Sequence, residues 1–268
     1  MKIEDIVNLT EGTLTNTPKV QAIQGASVYY SKIEHGDLFF SSSQEEIDQA
    51  IENGAYAIVY ADDSIVKKDD EIAWIKVSDL QLAAFKLIRY VTIKKEAKFF
   101  LLSEHELTFL KMILVHKSNI KFITDDWKKA FEQILNSDCS LFVGADKELL
   151  ELIKPDVSKL KKEVDGYAVS DTLFRTTFKV GGFVYQEKEL IPFHLEYLLR
   201  VIDFCDTQEL DYSVERLKYT KHFTPVFIDG NLKSTKASKS DRVAIFTDNL
   251  ADITKAREYV MRSNMWVK

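Results

Sequence analysis

The stretch AKFFLLSEHELTFLKM, residues 97–112, decides the fold. Its first part, residues 97–102, is apolar and predicts a strand, and from Ser103 onward apolar residues recur at helical spacing. A strand that leads into a helix is where many α/β proteins bind phosphate, with glycines and a lysine in the loop between them. This stretch has neither. Ser103 and Glu106 have instead the S-x-x-E spacing of a capping box, which predicts a helix start closed by its own side chains.

Two carboxylates, Glu104 and Glu106, follow at the start of this predicted helix. The positive end of a helix dipole attracts anions, so these side chains stand where a phosphate would bind. We interpret both as stabilising the first turn, and a general acid–base pair is the alternative interpretation. The stretch therefore predicts the architecture of a nucleotide enzyme without its nucleotide chemistry.

Strands and helices alternate on both sides of this stretch. Strands are predicted at 26–30, 36–40, 55–60, 73–77, 119–123, 140–143, 225–228 and 242–246, the last two of a buried type, and a hairpin with a Gly181-Gly182 turn at 176–185. Helices are predicted after a capping box at Ser43 and Glu46, at 80–91, from Asp125 or Asp126, and at 147–153, 194–204, 214–219 and 252–261. This order predicts an α/β fold with a mostly parallel sheet flanked by helices.

Composition and charge exclude several classes of protein. The 268 residues carry a net charge of −6, whereas nucleic-acid binding needs a basic surface. No apolar run reaches the roughly 18 residues of a membrane span, and the start lacks a signal-peptide core, so we predict a cytoplasmic protein. Cys139 and Cys205 lie in apolar stretches and are predicted to be buried thiols. The five histidines do not lie near cysteines or carboxylates at ligand spacing, so the sequence predicts no metal site and no cofactor.

The order of segments resembles a known family. GDLFF at 36–40, then a predicted helix, then ENGAYAIVY at 52–60, resembles the amino-terminal domain of the Mur ligases. These ATP-dependent enzymes add amino acids or a dipeptide to the UDP-linked peptidoglycan precursor, and the likeness is to those that add the third residue and the terminal dipeptide. LIPFH at 190–194, VFIDGN at 226–231 and RVAIF at 242–246 are similar to later family segments.

The resemblance implies three parts. Residues 1–94 would form a Mur-ligase-like amino-terminal α/β domain, and residues 95–222 a reduced central α/β domain with P-loop-like topology. Residues 223–268 would be a remnant of the carboxyl-terminal Rossmann-like α/β domain, packed on the central sheet.

The departures from the family indicate a lost ATP site. The family phosphate loop reads roughly T-G-S-x-G-K-T, and laid onto this chain its lysine falls at Leu107, a threonine at Thr108, and its glycines at Ser103 and Glu106. Leucine and glutamate cannot hold phosphates as lysine and glycine do. The metal-binding glutamate of the family would fall near Phe142. We therefore predict no catalytic residues and a protein that is not an enzyme.

A small set of side chains remains as candidate ligand contacts. These are Tyr29, Ser41, Ser42, Thr108, His194, Asp229 and Asn231. Each has a structural alternative: Asp229 fits a turn cap, His194 a helix start, and the serines the neighbourhood of a Ser43 helix cap. Tyr29 and Tyr30 are neighbours on a predicted strand, so their side chains point to opposite faces and cannot both face inward. One of them is therefore predicted to line a groove or an interface.

Three functions stay open at this point. We favour a non-catalytic Mur-ligase-like protein that binds a UDP-linked muropeptide or a cell-wall synthesis protein. The second is an active ligase or transferase with a non-standard site in the groove between domains. The third is a structural homo-oligomeric interaction module.

Overall fold

The computed structural model describes residues 1–231, 233–240 and 242–262. The chain forms two compact units: unit 1 comprises residues 1–101 and 120–158, and unit 2 comprises residues 102–119 and 159–268. These bounds differ from the three predicted segments, 1–94, 95–222 and 223–268, which stay a prediction together with the packing proposed for the last segment.

The helices and strands follow the predicted alternation. The α-helices are α1 Ile3–Thr10, α2 Gln44–Glu52, α3 Leu80–Lys94, α4 Glu104–Ile113, α5 Trp127–Leu135, α6 Lys147–Ile153, α7 Leu195–Thr207 and α8 Leu250–Arg262. The strands are β1 Thr13–Leu14, β2 Ala26–Ser27, β3 Leu38–Phe40, β4 Ala57–Tyr60, β5 Ala73–Lys76, β6 Lys98–Leu101, β7 Lys121–Phe122, β8 Leu141–Gly144, β9 Ser158–Lys159, β10 Tyr167–Asp171, β11 Thr176–Val180, β12 Phe183–Lys188, β13 Thr224–Ile228 and β14 Arg242–Phe246. Within the described ranges no helix is both long and apolar enough to cross a membrane.

Unit 1 contains the parallel sheets that the sequence predicts. One sheet has the order β1-β5-β4-β3-β2, with β2 to β5 parallel and β1 antiparallel. The other has the order β7-β8-β6-β9, with β6, β8 and β7 parallel. All four residues of β4 are buried, because both faces of its sheet are covered. Consecutive residues such as Ile58 and Val59 point to opposite faces of the sheet and belong to different apolar clusters.

Unit 2 contains α4, α7, α8 and two antiparallel sheets, β10-β11-β12 and β13-β14. The predicted Gly-Gly hairpin is confirmed: Gly181 and Gly182 have φ of 54° and 84°, the positive values that a type I′ turn requires. The fold is therefore mixed α/β, with parallel sheets in unit 1 and antiparallel sheets in unit 2. Cys139 and Cys205 are both buried, as predicted.

Three local predictions were wrong. The helix predicted at 214–219 is a three-residue 3-10 turn, Val214–Arg216. The strand predicted at 26–30 ends at Ser27, and a 3-10 turn follows at Tyr30–Lys32. Both strands of the tail form, but β14 is not buried, since Phe246 is 61% exposed. It pairs with β13 alone in a two-stranded sheet, which has little surface to cover it.

The predicted capping box at the start of α4 is confirmed. The Glu106 N–H donates to Ser103 Oγ at 3.3 Å, and the Ser103 N–H donates to Glu106 Oε2 at 2.8 Å. The Ser103 hydroxyl also donates to the same carboxylate oxygen at 2.9 Å. Two of the backbone donors at the helix start are therefore satisfied within the chain.

We expect Ser103→Ala to lower the free energy of unfolding by about 1 kcal/mol, because it removes the acceptor for the Glu106 N–H. Urea denaturation followed by circular dichroism measures this change. Ser103→Thr keeps the hydroxyl and should stay within a few tenths of a kcal/mol of the natural protein. An unchanged midpoint for Ser103→Ala would show that the box does not stabilise the helix.

Candidate functional site

Two histidines and an aspartate meet in the interior of unit 2. His105 lies in the first turn of α4, His194 directly precedes α7, and Asp252 lies on α8. Asp252 Oδ2 is 2.8 Å from His105 Nε2 and 2.9 Å from His194 Nε2. A carboxylate oxygen can only accept here, so both imidazoles donate an Nε2–H to it. All three side chains are buried, with Asp252 at 0% exposure. We name this group the Asp252 cluster.

The Asp252 cluster corrects the prediction that the histidines do not lie near carboxylates. Its members are 147 and 58 positions apart in the sequence, so no local spacing could have indicated it. Their three donor atoms lie within 4.8 Å of one another, which is close enough for one metal ion. The prediction of no metal site is not tested by this proximity and stays a prediction.

Burial and hydrogen bonding set the charges of the Asp252 cluster. Burial lowers the pKa of His194 from 6.5 to about 4 and outweighs the nearby carboxylate, which acts to raise it. Burial alone would raise the pKa of Asp252, but the hydrogen bonds from His105 and His194 hold that pKa below its ordinary value. Near neutral pH the carboxylate is therefore charged and His194 is neutral.

We expect the stability of the protein to fall as the pH decreases from 6.5 to about 4. The unfolded chain takes up a proton at His194 below pH 6.5, whereas the folded chain takes it up only near pH 4. The lowered pKa therefore contributes stability above pH 6.5 that is lost across this window, about 3 kcal/mol at about 1.4 kcal/mol per pKa unit. Asp252 acts in the same direction below its ordinary pKa of 3.8.

Urea denaturation at several pH values across this window measures the effect. His194→Gln removes the titrating group and should flatten the dependence, while His35→Gln changes an exposed histidine of unit 1 and should leave the dependence unchanged. Equal pH profiles for the natural protein and His194→Gln would show that His194 does not carry the effect.

A second hydrogen-bonded chain adjoins the Asp252 cluster. The His222 ring stacks on His105 with 4.3 Å between ring centroids. His222 Nδ1 donates to Asp248 Oδ1 at 2.7 Å, and its Nε2 lies 3.1 Å from Thr108 Oγ1. The bond from His222 lowers the pKa of Asp248. In this order the imidazole Nε2 can accept a hydrogen bond from the hydroxyl, while the carboxylate holds the orientation and tautomer of the ring. The Thr108 hydroxyl is thus engaged by the protein itself.

Charge at the start of α4 is balanced internally. Glu106 is buried, and the Arg200 guanidinium lies 3.4 Å from its Oε1. The Glu104 carboxylate is 4.0 Å from the Lys221 ammonium. Leu107, at the position of the family lysine, has only 8% exposure and packs inward. The capping bonds and ion pairs support the interpretation of both glutamates as groups that stabilise the helix start.

The candidate serines of unit 1 differ in exposure. Ser41 is buried, and its hydroxyl donates to Glu46 Oε2 at 2.5 Å while accepting from the Ser43 N–H at 3.1 Å. Ser42 is exposed. Ser43 caps α2 as predicted by accepting from the Glu46 N–H. The Glu46 carboxylate is drawn to Ser41, so the predicted box at this helix is replaced by a three-residue network.

Tyr29 and Tyr30 lie beyond the end of β2, at the start of the 3-10 turn, so the strand argument does not apply to them. Tyr29 is half-buried against the unit 1 core, and the Lys32 ammonium lies 5.3 Å from its ring centroid. Burial and the charges of Asp126 and Glu132 raise the pKa of Tyr29. Tyr30 is 38% exposed. A role for Tyr29 in ligand binding stays a prediction.

Asp229 and Asn231 lie in an exposed turn of unit 2. Asp229 Oδ1 accepts from the backbone N–H groups of Asn231 and Lys233, both at 2.9 Å. These bonds fit the turn-cap interpretation of Asp229. Leu232, which completes the family-like segment, lies outside the described residues. The structure thus gathers Thr108 and His194 into one neighbourhood of unit 2, with Asp229 and Asn231 in a turn of that unit. Their ligand-binding roles stay predictions.

Sequence reasoning also missed a buried carboxylate of unit 1. Glu132 on α5 accepts from Ser27 Oγ at 2.5 Å and from the Val28 N–H at 2.9 Å, and the Lys32 ammonium lies 3.6 Å away. The Glu132 carboxylate joins α5 to the end of β2. Its partners Ser27 and Val28 lie about a hundred positions away in the sequence.

Several cavities open within the described residues, among them one in unit 1 and another in unit 2. The unit 1 cavity has a volume of about 630 Å³, and its charged lining, Lys32, Glu34 and Asp37, has more negative than positive groups. The cavity of unit 2 has about 890 Å³ and carries the basic side chains Arg242 and Arg257. Its apolar lining includes Leu173, Phe174, Phe223, Phe227, Ile245 and Ile253. An anionic ligand with apolar groups fits the unit 2 cavity better.

Known proteins resemble the chain through structure rather than sequence. No protein-family model matches the chain, and no curated protein sequence matches it. MurF from Acinetobacter baumannii is similar with a TM-score of 0.56 and 13% identity, covering 97% of this chain and 76% of that one. A UDP-N-acetylmuramoylalanyl-D-glutamyl-2,6-diaminopimelate–D-alanyl-D-alanyl ligase from Acinetobacter baumannii gives 0.52 and 12%, covering 97% and 77%. The predicted resemblance is confirmed as a Mur-ligase-like fold.

Proposed function

We propose that this chain is a non-catalytic Mur-ligase-like protein that binds a UDP-linked muropeptide. The observation that carries the proposal is the closed start of α4. Its first donors bond within the chain through Ser103 and Glu106, and Leu107 is buried where the family has its phosphate-binding lysine. Phosphate loops work by presenting free backbone N–H groups and a lysine ammonium, whereas this helix start has no lysine and two of its N–H groups already bond within the chain.

Charge supports the same conclusion. A triphosphate at the start of α4 would meet the carboxylates of Glu104 and Glu106. The cations beside them, Lys221 and Arg200, already lie within 4.0 Å of those carboxylates. Phosphate binding would have to break these ion pairs, and Glu106 would then be left as a buried charge without its partner.

The unit 2 cavity supports the binding of a muropeptide. Arg242 and Arg257 are exposed, and no ion pair of either is found within the described part of the chain. The solved ligase above is named for a substrate that contains glutamyl and diaminopimelate residues, which carry carboxylates, and alanyl residues, which carry methyl groups. Arginine forks bind carboxylates, and the apolar walls accept methyl and methylene groups.

We expect no ATP-dependent turnover from the purified full chain. The assay mixes the protein with ATP-Mg, a UDP-linked muropeptide and a dipeptide acceptor, and measures phosphate release. Isothermal titration with the muropeptide alone should show binding, whereas titration with ATP-Mg alone should show none. Phosphate release in proportion to protein concentration would rule out the non-catalytic assignment.

We expect Arg242→Ala and Arg257→Ala each to weaken muropeptide binding at least about tenfold, the equivalent of one charge-assisted hydrogen bond. Arg262→Ala is the matched control, because Arg262 is also exposed on α8 but lies outside the cavity lining and near Glu258. Isothermal titration gives the three dissociation constants. Unchanged binding for both cavity variants would show that the ligand binds elsewhere.

A further inference from the structure

We propose that His105, His194 and Asp252 form a binding site for a transition-metal dication of the zinc class. The proposal does not depend on the proposed function, because it concerns a different set of side chains from the unit 2 cavity. It rests on the donor set, the spacing of the donor atoms and an unsatisfied oxygen of Asp252.

The donor set is two imidazoles and one carboxylate. Three protein ligands of this kind, with a further position left for water, are typical of zinc and other first-row metal sites. Magnesium prefers an all-oxygen shell, so a site that offers two nitrogens selects against it. The sequence supplies the set from three elements, namely the first turn of α4, the residue before α7 and the first turns of α8.

The spacing of the donor atoms is within reach of a metal site after the side chains adjust. The three donor atoms lie within 4.8 Å of one another, and the two hydrogen bonds to Asp252 Oδ2 measure 2.8 and 2.9 Å. Ligand atoms around a tetrahedral ion with bonds of about 2.0–2.1 Å stand about 3.3 Å apart. Each imidazole would therefore move by about half an ångström from the carboxylate oxygen, and the widest donor pair, at up to 4.8 Å, would close by up to about 1.5 Å around the ion.

Metal binding requires both histidines of the Asp252 cluster to change tautomer. Both imidazoles now donate Nε2–H to one oxygen, and a metal would take the place of these two protons. The proton of each ring moves from Nε2 to Nδ1, which frees the Nε2 lone pair to bind the ion, and the Asp252 carboxylate binds through Oδ2.

The second oxygen of Asp252 gives an independent indication. Oδ1 is buried and has no hydrogen-bond partner within the described residues. Its nearest cation is the Lys255 ammonium at 4.0 Å, on a side chain that is 41% exposed. A buried carboxylate oxygen without a donor calls for a water or an ion. A metal held by Asp252 would place a positive charge beside this oxygen as well.

The neighbouring His222 is not part of the site. Its Nδ1 bonds to Asp248 and its Nε2 faces Thr108, so both nitrogens are already engaged. It stacks on His105 and can support the orientation of that ring. His222 therefore provides a control within the same neighbourhood.

The test uses the full chain, stripped with a chelator and then titrated with Co²⁺. We expect visible d–d absorption that saturates at one ion per chain and disappears when Zn²⁺ displaces the cobalt. Zn²⁺ should raise the melting temperature of the natural protein, and Mg²⁺ should leave it unchanged. These readouts need neither ATP nor muropeptide, so a negative result leaves the proposed function standing.

Variants locate the ion. His105→Gln and Asp252→Asn should weaken cobalt binding at least about a hundredfold, since each removes a direct ligand. His222→Gln and the distant His35→Gln should keep it within a few-fold. Circular dichroism confirms that each variant is folded before titration. A stripped natural protein that takes up neither cobalt nor zinc overturns the proposal, and so does cobalt binding that survives both ligand variants.

Discussion

The buried charge of Asp252 is the constraint on which unit 2 depends. A carboxylate held out of water costs several kcal/mol unless donors surround it. Here the donors are His105 and His194, which come from α4 and from the residue before α7. A displacement of α8 by one turn would leave this charge without partners, so the contact fixes the three helices relative to one another. A buried polar group of this kind favours one arrangement of the helices over others more than it raises the free energy of unfolding.

The same logic explains the start of α4. The Ser103–Glu106 box satisfies backbone donors, Arg200 approaches the Glu106 carboxylate, and the Thr108 hydroxyl meets His222. The Ser103 and Thr108 hydroxyls and the Glu106 carboxylate thus each have a partner in unit 2. A ligand anion gains affinity from donors that are exposed and unpaired before it arrives. On the proposed function, closure of this network uses donors that a phosphate would need, without altering the fold that carries them.

Local sequence patterns predicted local structure well and long-range contacts poorly. The capping box, the Gly181-Gly182 turn and α6 follow from residues within a few positions of one another. The histidine partners of Asp252 and the Ser27 partner of Glu132 lie 58 to 147 positions away, and no spacing rule reaches that far. Residues 242–246 show the limit for strands. Their apolar character indicates burial, but exposure depends on how many strands join the sheet, which one segment cannot reveal.

The neighbourhood of α4 also differs from a phosphate site in the sign of the charge that it offers to a ligand. Its cations, Arg200, Lys221 and Lys255, all lie within 4.0 Å of carboxylates. Among the described residues, the Asp252 cluster offers a ligand one unsatisfied carboxylate oxygen, and its two imidazole nitrogens become available when their protons shift to Nδ1. Oxygen and nitrogen lone pairs attract metal cations and repel phosphates. Under the two proposals, a helix start that receives a polyanion in a nucleotide enzyme would hold a cation here. The proposed loss of phosphate binding and the proposed metal site would then have one cause, the carboxylates and buried histidines gathered around Asp252.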